Sequence, residues 1–276
     1  MKKILLIMLV GLLALSACDE KDEPTPDKNA IESFTVNGVS FNMVKVKGGS
    51  LTMNMELQVN TSFILYQDST LDVTVADYSI GQTEVTQALW LAVMGNNPSY
   101  FSTNESFLIE KDREYGDDLN RPVEWVSWDD CHVFIEKLNA LTGRFFRIPT
   151  EAEWEFAARG GNKTHGYPYA GSDNIDEVAW CHENTDDMTH PVGQKKPNEL
   201  GLYDMTGNVR EWCLDYVGYR MPNGTSYSCR IVRGGSYYRK YFVWNRDIKV
   251  QMSEAAIVAC ALPCSNNKEF NIDNIF

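Results

Sequence analysis

The chain is poor in positive charge and in histidine, and it contains no Cys-x-x-Cys pair. Its 38 Asp and Glu outnumber 25 Lys and Arg, which gives a formal net charge of -13. With no basic patch to neutralise phosphates, the composition argues against nucleic acid as a partner. Without Cys-x-x-Cys, a zinc ribbon or a thioredoxin-type redox motif lacks its thiols at the required spacing. A long apolar run is missing as well. The longest, Ile4 to Leu15, is about a dozen residues, well under the ~20 that a membrane-spanning helix needs.

What is present starts at the N-terminus. Lys2 and Lys3 precede the apolar run, and Leu15-Ser16-Ala17-Cys18 closes it with small residues ahead of a cysteine. This arrangement predicts a secretory signal peptide over residues 1–17. Leu-Ser-Ala-Cys resembles the bacterial lipobox, which implies cleavage before Cys18, acylation of its thiol and attachment to a membrane. Each buried CH₂ contributes about 0.8 kcal/mol, so two or three acyl chains suffice to hold the protein there. An ordinary signal peptide with an incidental Cys18 is the alternative. Residues 18–33 are charged, Pro-containing and nearly free of apolar side chains, and read as a flexible acidic tether. The acidic cluster directly after Cys18 resembles a signal for export to the outer cell surface. The expected location is the cell envelope, lipid-anchored to the outer membrane, on its periplasmic side or at the cell surface.

The mature part, roughly 255 residues, is long enough for one large domain with a substantial core. Aromatics make up 12% with 7 Trp, too many for a disordered chain. Six cysteines remain: Cys131, Cys181, Cys213, Cys229, Cys260 and Cys264. An oxidising envelope permits disulfides, but the sequence does not choose a pairing. Short strands are predicted at Phe34 to Val36, Phe41 to Lys47 and Ser50 to Met53, with further extended stretches at Val73 to Val75 and Tyr78 to Gln82. Three helices follow. The first runs from Val85 to Met94 and stops at Gly95. The second opens at Ser127 with Asp130 in capping-box register and ends at Gly143. The third opens at Thr150 with Glu153 and continues through Ala158 to Gly160-Gly161. Beyond about residue 162, helical periodicity fades and long structured loops are expected. The fold class is α+β with high irregular loop content.

Four stretches, in order, resemble the formylglycine-generating enzyme (sulfatase-modifying factor) family. They are Asp77 to Trp90 (DYSIGQTEVTQALW), Arg121 to Asp130 (RPVEWVSWDD), Phe146 to Gly161 (FRIPTEAEWEFAARGG) and Pro197 to Trp212 (PNELGLYDMTGNVREW). Arg233-Gly234-Gly235-Ser236 follows them. The resemblance implies a single domain of the C-type-lectin type over residues 34–265, leaving a C-terminal tail at 266–276.

Oxidases of that family use two cysteines after the Gly-Gly-Ser turn to bind copper(I), activate oxygen and convert a substrate cysteine to formylglycine. Soft thiolates suit that metal. Here the two positions hold Arg239 and Trp244, and neither a guanidinium nor an indole supplies a thiolate. Copper is therefore not expected, and no catalytic residue is assigned. Ser236 matches a serine of the family's pocket, whereas Arg210 stands where a pocket tryptophan is usual. Cys260 and Cys264 leave three readings open: displaced thiols, a structural disulfide, or buried free thiols. A related branch makes sulfoxides with iron held by an N-terminal helical bundle, which this sequence does not contain.

The resemblance also implies a calcium ion in the fourth stretch, held by side-chain oxygens of Asp204 and Glu211 and by carbonyls of Gly207 and Val209. Hard oxygen donors suit Ca²⁺; surface carboxylates or turn caps are the other reading of the two acids. A second family calcium site needs an asparagine where Trp180 stands. His182 and His190 share a loop with Glu183, Asp186 and Asp187, either as a metal site or as isolated surface residues. The cleft keeps Arg210, Ser236, Tyr237, Tyr238, Arg239, Lys240 and Trp244. Aromatics interleaved with basic groups suit a sugar, a peptide or an acidic ligand, and equally a salt-bridged core edge. The expected function is a non-oxidase binding or assembly module that reaches the membrane through Cys18 and engages an envelope protein, peptide or glycan. The alternatives are a formylglycine-generating oxidoreductase and a calcium-dependent carbohydrate-binding protein.

Overall fold

The computed structural model describes residues 30–54, 57–58, 70–102, 118–220, 226–238, 246–247, 255–256 and 260–261. Cys18, most of the tether, Arg239, Lys240, Trp244, Cys264 and the tail lie outside the described residues.

Twelve strands and four α-helices alternate irregularly among them. β1 (Ile31–Val36), β2 (Val39–Val46), β3 (Gly49–Asn54), β4 (Leu57–Gln58), β5 (Thr70–Val75) and β6 (Tyr78–Gly81) come first. α1 (Gln87–Met94), α2 (Trp128–Thr142), β7 (Phe146–Arg147), α3 (Glu151–Ala158) and α4 (Ile175–Val178) follow. β8 (Arg210–Arg220), β9 (Ser226–Arg233), β10 (Arg246–Asp247), β11 (Ala255–Ala256) and β12 (Cys260–Ala261) complete the order.

The strands form two five-stranded sheets, β1-β2-β6-β12-β7 and β11-β8-β9-β10-β4, and the two-stranded β3-β5. β1 and β2 meet at Asn37-Gly38, both at positive φ. That is the pair a tight hairpin turn asks for, and it sets Phe34 opposite Phe41. The first strand takes up Ile31, Glu32 and Ser33, the last residues of the expected tether. Successive side chains of a strand point to opposite faces. Accordingly Met43 enters one core cluster, with α1 and α2, while Val44 enters another, with α3 and the 200–213 segment. The first sheet is thus covered on both faces. Trp90 of α1 and Phe134 of α2 stack in the first cluster with centroids 5.0 Å apart and planes 1° off parallel, a pairing that adds about 0.5–1.5 kcal/mol beyond the area it buries.

Both capping boxes form as expected. Ser127 Oγ accepts from Asp130 N while Asp130 Oδ2 accepts from Ser127 N, and Thr150 and Glu153 repeat the exchange. Gly95 and Gly143 end α1 and α2 in the left-handed conformation. α1 begins two residues later than expected, because Thr86 Oγ1 accepts from Leu89 N and makes Thr86 the cap. Val85 then lies outside the helix, and its carbonyl accepts from Val123 N. Several elements were not anticipated, α4 and the β8–β9 hairpin among them. α4 is a single turn capped by Asn174, and β8–β9 is a long hairpin with a register irregularity between Trp212 and Tyr216. From Arg159 to Val209 the chain otherwise runs in loops, apart from a 3-10 turn at Gly161–Lys163, as the loop-rich reading expected.

Candidate functional site

The segment leading into β8 is fixed by its own amides. Asn198 Nδ2 donates to Ala157 O at 2.8 Å, and its Oδ1 accepts from Leu200 N and Leu202 N. Gly207 sits at φ 91° against Trp180, and a methyl group there would collide with the Trp180 carbonyl. Asn208 binds on four sides, its side-chain amide exchanging two hydrogen bonds with the His190 backbone. Its N–H donates to Trp180 O, its Nδ2 to Glu84 Oε2 at 3.2 Å, and its carbonyl accepts from Tyr237 N at 2.8 Å. The Gly207 N–H donates to Gly234 O, so the 207–209 and 234–237 segments lie side by side.

Three carboxylates are buried here: Glu84, Asp204 and Glu211. Each has one oxygen fixed and one with no hydrogen-bond partner among the protein atoms. Asp204 Oδ2 accepts from Gly193 N at 2.6 Å, and Oδ1 has no partner. Glu211 Oε2 accepts from Trp154 Nε1 at 2.5 Å, and Oε1 has none. Glu84 Oε2 is held by Asn208, and Oε1 has none. Burial drives all three upward, Asp204 to about 6, Glu211 to about 8 and Glu84 well above the usual carboxylate range, with the charges of Asp204 and Glu211 adding to the rise of Glu84. Three mutually repelling acids without a cation of their own are costly to bury.

A divalent cation would relieve that cost, and the unpartnered oxygens of Asp204 and Glu211 are of the kind that suits one. A methyl group built on Gly234 would lie 3.5 Å from Val209 O and 3.9 Å from Glu211 Oε1, so two of the four expected donors border one small space. The donors are hard oxygens, two carboxylates and two carbonyls. Among the described residues no three His, Cys, Asp or Glu side chains converge as a metal site. The fit therefore rests on the mixed set of Asp204, Gly207, Val209 and Glu211, with Glu84 as a neighbouring charge.

The four described cleft residues separate. Arg210, Ser236 and Tyr237 are buried, and Tyr238 alone is open to solvent. Ser236 Oγ has no hydrogen-bond partner, and the Tyr237 carbonyl accepts from Thr185 Oγ1 at 3.0 Å. None of the four supplies a thiolate. Cys131, Cys181 and Cys213 are buried, unbridged and on different elements. Burial raises each of these thiols, so none of the three is a ready thiolate ligand for copper(I).

His182 and His190 do not share a centre. His182 Nδ1 lies 3.3 Å from Asp187 at the surface. His190 stacks on Trp180 at 3.8 Å, with Lys195 Nζ 4.0 Å from the same indole. Trp180, standing where a second calcium site would need an asparagine, is thus sandwiched between a ring and an ammonium.

Sequence reasoning gave no role to Glu84, Tyr100, Glu124 or Trp125. Glu124 is fully buried, and its two oxygens accept from Tyr100 N at 3.1 Å and Phe101 N at 2.9 Å. Trp125 next to it is exposed at φ 64°. All but Tyr100 fall inside the motif stretches quoted above, yet nothing in those letters distinguishes a buried acid or an exposed tryptophan from its opposite.

A sheet-and-helix domain with this loop content and a buried loop of carboxylates and carbonyls defines a formylglycine-generating-enzyme-like fold. The profile of the sulfatase-modifying factor enzyme 1-like domain matches residues 28–261, and the chain belongs to that family. It is 33% identical over 291 residues to a protein described as chaperone protein LppX of Paenibacillus barcinonensis, covering 86% of this chain and 89% of that one. It is 37% identical over 141 residues to a formylglycine-generating enzyme of Streptomyces coelicolor, covering 43% and 42% of the two chains. Among solved structures it is similar to Treponema denticola variable protein 1, with TM-score 0.64, 30% identity, and coverage of 84% of this chain and 99% of that one.

Proposed function

We propose that this protein is a non-oxidase member of its family, a binding or assembly module held in the cell envelope by lipid on Cys18, with a structural calcium ion in the 204–211 loop. The observation that carries the reading is the replacement of the thiol pair. Arg239 and Trp244 occupy its positions, and Arg210, buried at the base of β8, takes the place of the pocket tryptophan. The similarity to a chaperone along most of both chains supports a role exercised by binding, with a polypeptide among the candidate partners.

The test is aerobic incubation of the full-length chain with copper(I), a reductant and a sulfatase-type Cys-x-Pro-x-Arg peptide, read by mass spectrometry. No aldehyde is expected while a working oxidase converts the same peptide alongside. Conversion would overturn the proposal and make Cys260 and Cys264 the next residues to change.

A further inference from the structure

Around Trp125 the chain does something costly. Arg121, Pro122, Val123, Glu124 and Val126 are all buried, and the single residue of the run turned outward is the tryptophan, 39% exposed. It is turned outward by a left-handed backbone, φ 64°, which a bulky side chain rarely adopts. Large apolar side chains are ordinarily the first to be buried, and strain of this kind collects at binding sites.

The exposed ring is also held rigidly. Glu124 anchors the backbone of Tyr100 and Phe101 from below, and Ser99 Oγ accepts from Glu124 N at 3.2 Å. Gln87 Nε2 donates to both Phe101 O and Pro122 O, and Asn97 Nδ2 donates to Gln87 Oε1. This buried polar network stitches the 97–102 loop to the 121–126 loop and sets Tyr100 beside Trp125, with centroids 6.0 Å apart and planes 17° off parallel. Inward of them, Phe101 meets Tyr237 edge-on at 5.1 Å, and Tyr237 is followed by Tyr238, 56% exposed, and His182.

We infer that this ledge, from Trp125 and Tyr100 to Tyr238 and His182, is a stacking platform for an uncharged oligosaccharide. The inference rests on the binding-module reading and names its ligand class. Near-parallel aromatic rings held at a surface match the apolar C–H face of a pyranose, while His182, Asp186 and Asp187 at the far end offer hydrogen-bonding groups to hydroxyls. Charge argues the same way. Exposed Asp186 and Asp187 sit at one rim, and the net charge of -13 disfavours a polyanion. Carboxylates that accept from hydroxyls, set beside flat rings, suit a neutral polyol. The platform does not use the 204–211 loop, so binding there is independent of calcium coordination to the sugar.

The test titrates the full-length chain with maltohexaose, cellohexaose, laminarihexaose and chitohexaose, followed by tryptophan fluorescence and calorimetry, with calcium present throughout. The expected result is saturable binding of at least one of them, weakened about two- to tenfold per ring removed in Trp125→Ala and Tyr238→Ala and largely kept in Trp125→Phe. Thermal unfolding of each variant confirms that it is folded. Absence of binding across the panel overturns the inference, as does binding that Trp125→Ala and Tyr238→Ala leave unchanged. Binding of a Pro-Gly repeat peptide that depends on Trp125, with no sugar bound, overturns it in favour of a polypeptide partner. The oxidase assay separates this inference from the reading it rests on. Peptide conversion with Trp125-dependent sugar binding removes the non-oxidase reading and keeps the platform, whereas no conversion and no sugar binding does the reverse.

Discussion

Trp154 Nε1 donates a 2.5 Å hydrogen bond to Glu211 Oε2, which places a fully buried indole against one of the two carboxylates of the proposed calcium loop. An indole so close is an antenna for a lanthanide bound in calcium's place. Terbium added to the chelated protein is expected to give emission sensitised by tryptophan, displaced by excess calcium. Glu211→Gln should abolish it, and Trp154→Phe should dim it while preserving calcium binding. Calcium at about a hundred times its dissociation constant stabilises by about 2.7 kcal/mol, so chelation should lower Tm by roughly 5–10 °C. An unchanged Tm together with no sensitised emission would exclude the site.

Behind that loop, Arg233 is fully buried between Glu151 Oε1 at 2.5 Å and Glu155 Oε2 at 2.8 Å, so the end of β9 is locked to α3. Removing the guanidinium takes a buried cation from both carboxylates, of which Glu155 keeps its ion pair with Arg159. Arg233→Ala is expected to cost about 3–5 kcal/mol in urea unfolding. The triple change Arg233→Met, Glu151→Gln, Glu155→Gln, which removes the charges together, should recover much of that loss. A triple variant less stable than Arg233→Ala would show that the network stabilises by more than mutual neutralisation.

The parts of this fold that were legible in the sequence are those whose partners lie within a few residues. Ser127 with Asp130 and Thr150 with Glu153 announce helix starts because the cap and its reciprocal bond sit three residues apart. The β8–β9 hairpin was not legible, because Val209 through Cys213 are buried without alternation and give no period of two. The donor set Asp204, Gly207, Val209 and Glu211 came from a resemblance. Its electrostatic neighbour Glu84 arrives from 120 residues away (204 minus 84) by way of the sheet, which no local pattern reports. The left-handed backbone of Trp125 is likewise set by what Glu124 binds, not by its own neighbours in sequence.

That backbone makes its own prediction. Trp125 lies at φ 64°, where a side chain costs about 1–2 kcal/mol and glycine costs little. Trp125→Gly is therefore expected to be more stable than Trp125→Ala by about 1 kcal/mol, an inversion of the usual order for these two residues. Equal midpoints in urea for the two variants would mean that the loop relaxes out of the left-handed region once the indole is gone.

Glu124 gives a pH dependence whose sign follows from its burial. Desolvation raises its carboxyl to about 8, against the opposing pull of the Phe101 and Tyr100 amides and of Arg121. In the unfolded chain the same group titrates near its ordinary 4.5. Between those two values the native state holds a proton that the unfolded state has released. Stability from this group is therefore complete below pH ~4.5, falls as pH rises through the window, and is gone above ~8. Glu124→Gln cannot ionise, so it lacks this decline, although it keeps only one acceptor for the two amides and should be less stable than the parent in mild acid. With calcium saturating, so that Asp204 and Glu211 stay ionised in both proteins, the two stability curves should converge from pH 5.5 to 7.5. Their difference in slope should approach 1.4 kcal/mol per pH unit, about one proton. Parallel curves would mean that Glu124 is already ionised in the folded protein, with Arg121 and the two amides outweighing its burial.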